Sequence, residues 1–186
     1  MPNGAASSVV VAGPRLTRSR MSRRCGSASA TKVRFNNEEA VPQLQLMGRR
    51  TYEMLASLPR EAQDAFWERI STKKKVVFSR TLDQVEWPNT RICSDELVDE
   101  VRALKATSEV PLRTVGSLSV ARQLIDAGMV DRLRLMTFPL LAGEAGREPA
   151  FEGVGSADLK LAEHRVLDGR VLLLEYHPTG DDIPRA

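Results

Sequence analysis

Short apolar runs alternate along this chain with stretches in which hydrophobic residues recur every third or fourth position. That is the rhythm of strands alternating with amphipathic helices. Leu44-Gln45-Leu46-Met47, Val76-Val77-Phe78, Arg91-Ile92-Cys93, Pro111 to Val115 and Val130 to Phe138 read as strands. In the last of these, Leu133 and Leu135 alternate against Arg132 and Arg134. Between the strands, Thr51 to Leu58 reads as a short helix ended by Pro59, and Glu61 to Ile70 as a second with Ala65, Phe66 and Ile70 inward. Ser94 or Asp95 caps a third, with Leu97, Val98, Val101 and Leu104 on one face. Ser117 to Ala127 is a fourth, with Leu118, Ala121, Leu124 and Ile125 inward and Gly128 as its stop. Lys73-Lys74-Lys75 reads as a solvated lead-in to the Val76 strand.

The pattern then changes. Leu159 to Leu167 and Arg170 to Tyr176 flank Asp168-Gly169, the dipeptide preferred in a two-residue hairpin turn. A βα-alternating body that closes on a hairpin predicts an α/β three-layer sandwich. Its sheet is mixed but mainly parallel, with helices on both faces and a C-terminal antiparallel hairpin.

Size and composition narrow the class. A chain of 186 residues with 42% apolar content suits one domain with a full core. No apolar run approaches the roughly 18–20 residues that span a bilayer, so no membrane partner is expected. The cysteines Cys25 and Cys93 are too few for a disulfide framework, and with only His164 and His177 they leave no metal-ligand spacing. The reading is a reducing, cytoplasmic compartment and no structural metal.

Charge sets the N-terminal segment apart. Of the 27 basic residues seven fall within residues 1–37, where there is no acid, leaving 20 against 24 acidic ones, a balance of −4 for the rest. The mildly acidic body argues against nucleic acid as a partner, although a basic arm alone binds polyanions weakly. The Ser-, Ala- and Arg-rich composition resembles an organellar transit peptide, but no amphipathic helix accompanies it. The expected organisation is a disordered basic arm over residues 1–37, a domain over 38–178 and a tail over 179–186. Within the arm only Val9-Val10-Val11 looks strand-like.

Three strand-to-helix junctions share one punctuation: Met47 into Gly48-Arg49-Arg50-Thr51, Phe78 into Ser79-Arg80-Thr81, and Val115 into Gly116-Ser117. Taken singly, each reads as a strand end, a polar turn or a helix cap. Parallel neighbours would bring all three to one sheet edge, where helix N-termini offer N–H groups and positive partial charge to phosphate. Arg49, Arg50 and Arg80 add full charges, and the chain reads as a binder of a phosphate-rich cofactor. Other chemistries lack support: there is no Gly-x-Ser-x-Gly elbow, no phosphate loop and no Gly-x-Gly-x-x-Gly fingerprint. Cys93 reads as a small core residue, and Asp131 and Glu144 as lone carboxylates near strand ends.

Met47-Gly-Arg-Arg-Thr-Tyr-Glu53 and Val77-Phe-Ser-Arg-Thr-Leu82 resemble the cofactor motifs of the dihydrofolate-reductase-like family. The nearest branch is that of the C-terminal reductase domain of the bacterial bifunctional riboflavin-biosynthesis protein. Val115-Gly-Ser117, Leu124 to Leu133, Phe138 to Gly143 and Leu167 to Tyr176 continue the likeness, which covers roughly residues 44–178. The resemblance implies that fold, NADPH as cofactor and a homodimer. Gly48, Arg49 and Thr51 match the first cofactor loop, with Arg50 beside them. Ser79, Arg80 and Thr81 match the loop that holds the adenosine ribose and its 2′-phosphate, and Gly116 and Ser117 match the pyrophosphate turn.

The implied function is an NADPH-dependent reductase of a small heterocyclic substrate, resembling 5-amino-6-(5-phosphoribosylamino)uracil reductase and dihydrofolate reductase. One departure stands against it. The family begins with a central strand and a Ser-x-Asp-Gly-like segment, and nothing in residues 1–43 matches them. The N-terminal strand is therefore expected to be missing or altered, through a misplaced start or an upstream frame change, and no catalytic residue carries over. The alternative is a truncated, catalytically incompetent relative that binds nucleotide weakly.

Overall fold

The structure is a computed structural model that describes residues 7–12, 42–140 and 149–179. Its strands are β1 (Ser7–Ala12), β2 (Leu44–Gly48), β3 (Lys75–Phe78), β4 (Thr90–Cys93), β5 (Leu112–Val115), β6 (Arg132–Thr137), β7 (Leu159–Leu167) and β8 (Val171–Pro178). Its helices are α1 (Arg49–Ala56), α2 (Ala65–Thr72), α3 (Leu97–Thr107) and α4 (Leu118–Asp126). The strands form one sheet in the order β4-β3-β2-β5-β1-β6-β8-β7. From β4 to β6 every neighbouring pair is parallel, while β8 is antiparallel to both β6 and β7. The β7–β8 turn runs through Asp168 and Gly169, both at positive φ as a tight hairpin requires.

Alternation along the parallel strands produces the three layers. Leu46, Val76 and Leu112 face one way and pack with Leu97 and Val101 of α3 and Val120, Ala121 and Leu124 of α4. Met47 and Val77 face the other way and pack with Tyr52 and Leu55 of α1, Ile70 of α2 and Trp87. Aromatic groups lock this second layer. Trp67 stacks on Trp87 with centroids 5.8 Å apart, and its indole N–H donates to the Leu55 carbonyl at 2.9 Å. The Tyr52 hydroxyl accepts the Glu86 N–H at 3.0 Å. These contacts hold α1, and hence its N-terminus, against the sheet.

Several expectations are corrected. The N-terminal strand is present: β1 lies between β5 and β6 and is parallel to both, with Val10 paired to Val115 on one side and Arg134 on the other. A strand paired on both sides within a parallel sheet needs no polar alternation, so Val9-Val10-Val11 carries the whole signal in a run too short to stand out against its basic surroundings. The remainder of the segment 1–37 outside β1 lies outside the described residues, as do Glu144 and residues 180–186 of the tail. The second helix begins at Ala65 rather than Glu61, behind a short 3₁₀ turn at Arg60–Ala62. The third starts after Glu96, and neither Ser94 nor Asp95 makes a side-chain cap bond.

Lys75 is the sharpest correction. It is 1% exposed, not solvated. Its ammonium donates to the carbonyls of Ile70, Ser71 and Lys73 and lies 4.7 Å from the centre of the Trp87 ring. It satisfies the orphan carbonyls at the end of α2. Burial pulls its pKa down to about 8.

Candidate functional site

The sheet order creates a crevice. From β2 the chain moves outward to β3 and β4, whereas from β5 it proceeds to β6 on the other side. β2 and β5 are neighbours, so their outgoing connections diverge, with α1 on one face and α4 on the other. Open α/β sheets bind ligands outside the carboxyl ends of strands at such a switch point.

Register decides which residues meet there. Leu46 pairs with Thr114, so Gly48 and Gly116 come level, two residues further along each strand. Gly48 also pairs with Phe78, and Phe78 with Cys93. The next residues of all four strands therefore emerge on one edge. A cleft of about 420 Å³ opens among them, lined by Gly48, Arg49, Arg50, Ser79, Arg80 and Ser117 of the expected junctions. Phe78, Cys93, Leu97 and Val120 supply its apolar lining, and Ser94, Asp95, Glu96, Ser119 and Gln123 its remaining polar edge.

Thr51, Thr81 and Gly116 do not line the cleft. Thr51 is buried, and its side chain backs Gly116, where a Cβ would meet Thr51 Cγ2 at 3.1 Å. Thr81 belongs to a turn in which Ser79 Oγ accepts the N–H groups of Thr81 and Leu82 at 3.2 and 3.0 Å. That turn is further pinned by the bond from Ser79 N–H to the Cys93 carbonyl.

The two walls of the switch point touch closely. A Cβ at Gly48 would lie 2.5 Å from Ser117 Oγ, although Gly48 itself has ordinary extended backbone (φ −86°, ψ 165°). Space, not conformation, demands glycine here. At the facing turn both Gly116 (φ 65°) and Ser117 (φ 64°) are left-handed. This pair of residues turns the chain sharply off β5 into α4, and Ser117 bears strain that glycine would not.

The electrostatics are two-sided. Neither α1 nor α4 has a side-chain cap bond or an acidic residue in its first turn, so the positive ends of both helices stand open at the cleft. α3, by contrast, carries Asp99 and Glu100 in its first turn. Arg49 makes an exposed i,i+4 pair with Glu53 at 3.0 Å, and Arg80 makes an exposed pair with Glu96. Arg50 is exposed at the cleft and has no ionic partner among the described residues. The β4–α3 contribution is not visible along the chain, where Ser94 and Asp95 read as helix caps. The available signal was the parallel pairing of β3 with β4, which only tertiary structure reveals.

A mainly parallel sheet with helices on both faces, a ligand crevice at the switch point and an antiparallel end is the architecture of the dihydrofolate-reductase-like proteins. The chain belongs to the RibD C-terminal domain family, whose model matches residues 14–173. It is 29% identical over 142 residues to the uncharacterized protein YyaP of Bacillus subtilis, covering 73% of each chain. Among solved structures it is similar to a putative riboflavin biosynthesis protein from Shewanella sp. PV-4 (TM-score 0.69, 20% identity, 94% of this chain and 99% of that one). It is similar also to a pyrimidine reductase-like protein from Corynebacterium diphtheriae (TM-score 0.61, 16% identity, 96% and 94%). Dihydrofolate reductase from Enterococcus faecalis, complexed with NADP(H), shares the fold at TM-score 0.57 and 13% identity, over 94% and 96% of the chains. Family and fold thus place the chain among reductase-type proteins. No helix of the described residues is long and apolar enough to cross a membrane.

Proposed function

We propose that the protein is an NADPH-dependent reductase of a small heterocyclic substrate, of the riboflavin-pathway pyrimidine type. The observation that carries this reading is the meeting of two uncapped helix N-termini and three arginines around one cleft at the switch point. The donor set fits a dinucleotide carrying an extra phosphate. Arg80 offers a planar fork to a 2′-phosphate, the first turn of α4 offers N–H groups to a pyrophosphate, and Arg49 and Arg50 add charge at α1. Gly48 keeps the approach open, since any side chain there would fill the gap against Ser117. Bound NADPH supplies the hydride; the protein aligns donor and acceptor and keeps water away.

The reading of an incompetent, truncated relative rested on a missing first strand and a missing Ser-x-Asp-Gly-like segment, and β1 supplies the strand. A homodimer belongs to the proposal. It is supported by the edge strand β7, nine residues long with one side unpaired among the described residues and with Leu161 and Val166 exposed. The mass in solution tests it.

The cofactor test is a fluorescence titration of the full chain with NADPH and NADH. Saturable NADPH binding is expected. Arg80→Ala should weaken NADPH about ten- to a hundredfold and leave NADH nearly unchanged, the loss of one charge-assisted contact. Equal losses for both would transfer the 2′-phosphate to Arg49 or Arg50, and no binding of either would sink the cofactor reading. NADPH oxidation across a panel of pterins and riboflavin-pathway pyrimidines then identifies the substrate.

A further inference from the structure

Arg80 does not stand open in the cleft: its guanidinium is held by Glu96, sixteen residues further on, and both side chains line the same space. Glu96 is the N-cap residue of α3, yet its side chain does not cap the helix. The carboxylate is therefore not held in place by any need of its own helix, and it meets Arg80, the one cation of the β3–β4 connection. The two side chains are 69% and 72% exposed, so water competes for both and the pair exchanges easily. Asp95 adds a second carboxylate to the lining of the same cleft.

We propose that Glu96 is a specificity-determining residue of this cleft: a resident carboxylate that occupies Arg80 and that a 2′-phosphate must displace. This rests on the cofactor reading above and adds to it. Arg80 attracts the 2′-phosphate, and Glu96 both competes for Arg80 and repels that phosphate. An unphosphorylated adenosine ribose meets no such repulsion, and its hydroxyls donate to the Glu96 carboxylate. The preference of the cleft is then the difference between two opposed charges, and Arg80 alone does not set it. Neutralising Glu96 should sharpen discrimination, and removing Arg80 should abolish it.

Calorimetric titration of the full chain with adenosine 2′,5′-bisphosphate and with 5′-AMP tests this. Glu96→Gln keeps the shape of the side chain and removes its charge. It should raise affinity for the bisphosphate about three- to tenfold, as expected for an exposed charge a few ångströms away, and leave AMP unchanged or weaker. In an Arg80→Ala background most of that gain should vanish, because the competition for the guanidinium is gone. If the wild-type chain binds both probes and Glu96→Gln leaves their ratio unchanged, the gating role is wrong and the cofactor reading stands. If no variant binds either probe, the cofactor reading fails and the gate with it.

Discussion

At the residue scale the cleft depends on one absent side chain. Gly48 and Ser117 come from elements about seventy residues apart in sequence, and a Cβ on Gly48 would lie 2.5 Å from Ser117 Oγ and 3.2 Å from its Cβ. Gly48→Ala must displace Ser117 Oγ and crowd the Ser117 Cβ, at a cost of about 1–3 kcal/mol for an overpacked contact. Ser117→Gly removes the obstructing atoms and relaxes a left-handed residue, so the double variant should recover most of the loss. Urea unfolding of the two single variants and the pair measures this; simple additivity would show that the two walls do not touch as described. Lys75 shows the same dependence on neighbours. As the last of three consecutive lysines it looks like surface charge, and only the carbonyls at the end of α2 and the Trp87 ring explain its burial. Composition cannot tell a lysine that ends a helix from one that faces water.

At the element scale, β2, β3, β5, β6 and the hairpin were legible because each apolar run is bounded by turn residues or followed by a periodic helix. β1 was not, because its six residues carry no alternation and are followed by arm-like sequence. Both of its sides are hydrogen-bonded, to β5 and to β6, so it joins the parallel body to the antiparallel end. Val10→Pro removes a backbone N–H at a position paired on both sides and should cost about 3 kcal/mol or more. Deleting residues 1–12 should leave a chain that does not fold cooperatively. Circular dichroism melting checks both; a truncated chain that melts like the full one would show that β1 contributes nothing to the sheet.

At the scale of the whole molecule, the antiparallel end is held to the parallel body partly by charge. Glu175 on β8 is 6% exposed and bonds Arg134 on β6, with Arg132 at 3.5 Å and His177 at 3.7 Å. Burial alone would raise its pKa. The bond and charge of Arg134, with the charges of Arg132 and His177, outweigh that and hold the carboxyl below its usual value of 4.5. A depressed carboxylate contributes stability that is fully present above the unfolded pKa and lost as pH falls through the folded one. Stability should therefore decline with acid below about pH 4.5. Glu175→Gln should flatten that acid limb while costing about 1.5–3 kcal/mol at neutral pH, because the charge-assisted bond from Arg134 to a buried carboxylate is lost. Urea midpoints across pH 3–7 measure it, and an unchanged acid limb in the variant would remove Glu175 from the account. Periodicity and turn chemistry are local, so they mark the alternation of strands with helices and the closing hairpin along the chain itself, although no helix follows β3 at Ser79-Arg80-Thr81. Strand order, the switch point, the pairing of Gly48 with Ser117, the hold of Glu96 on Arg80 and the central place of β1 were decided only by tertiary structure. They depend on which distant strands become neighbours and in what register, and no local pattern along the chain encodes that.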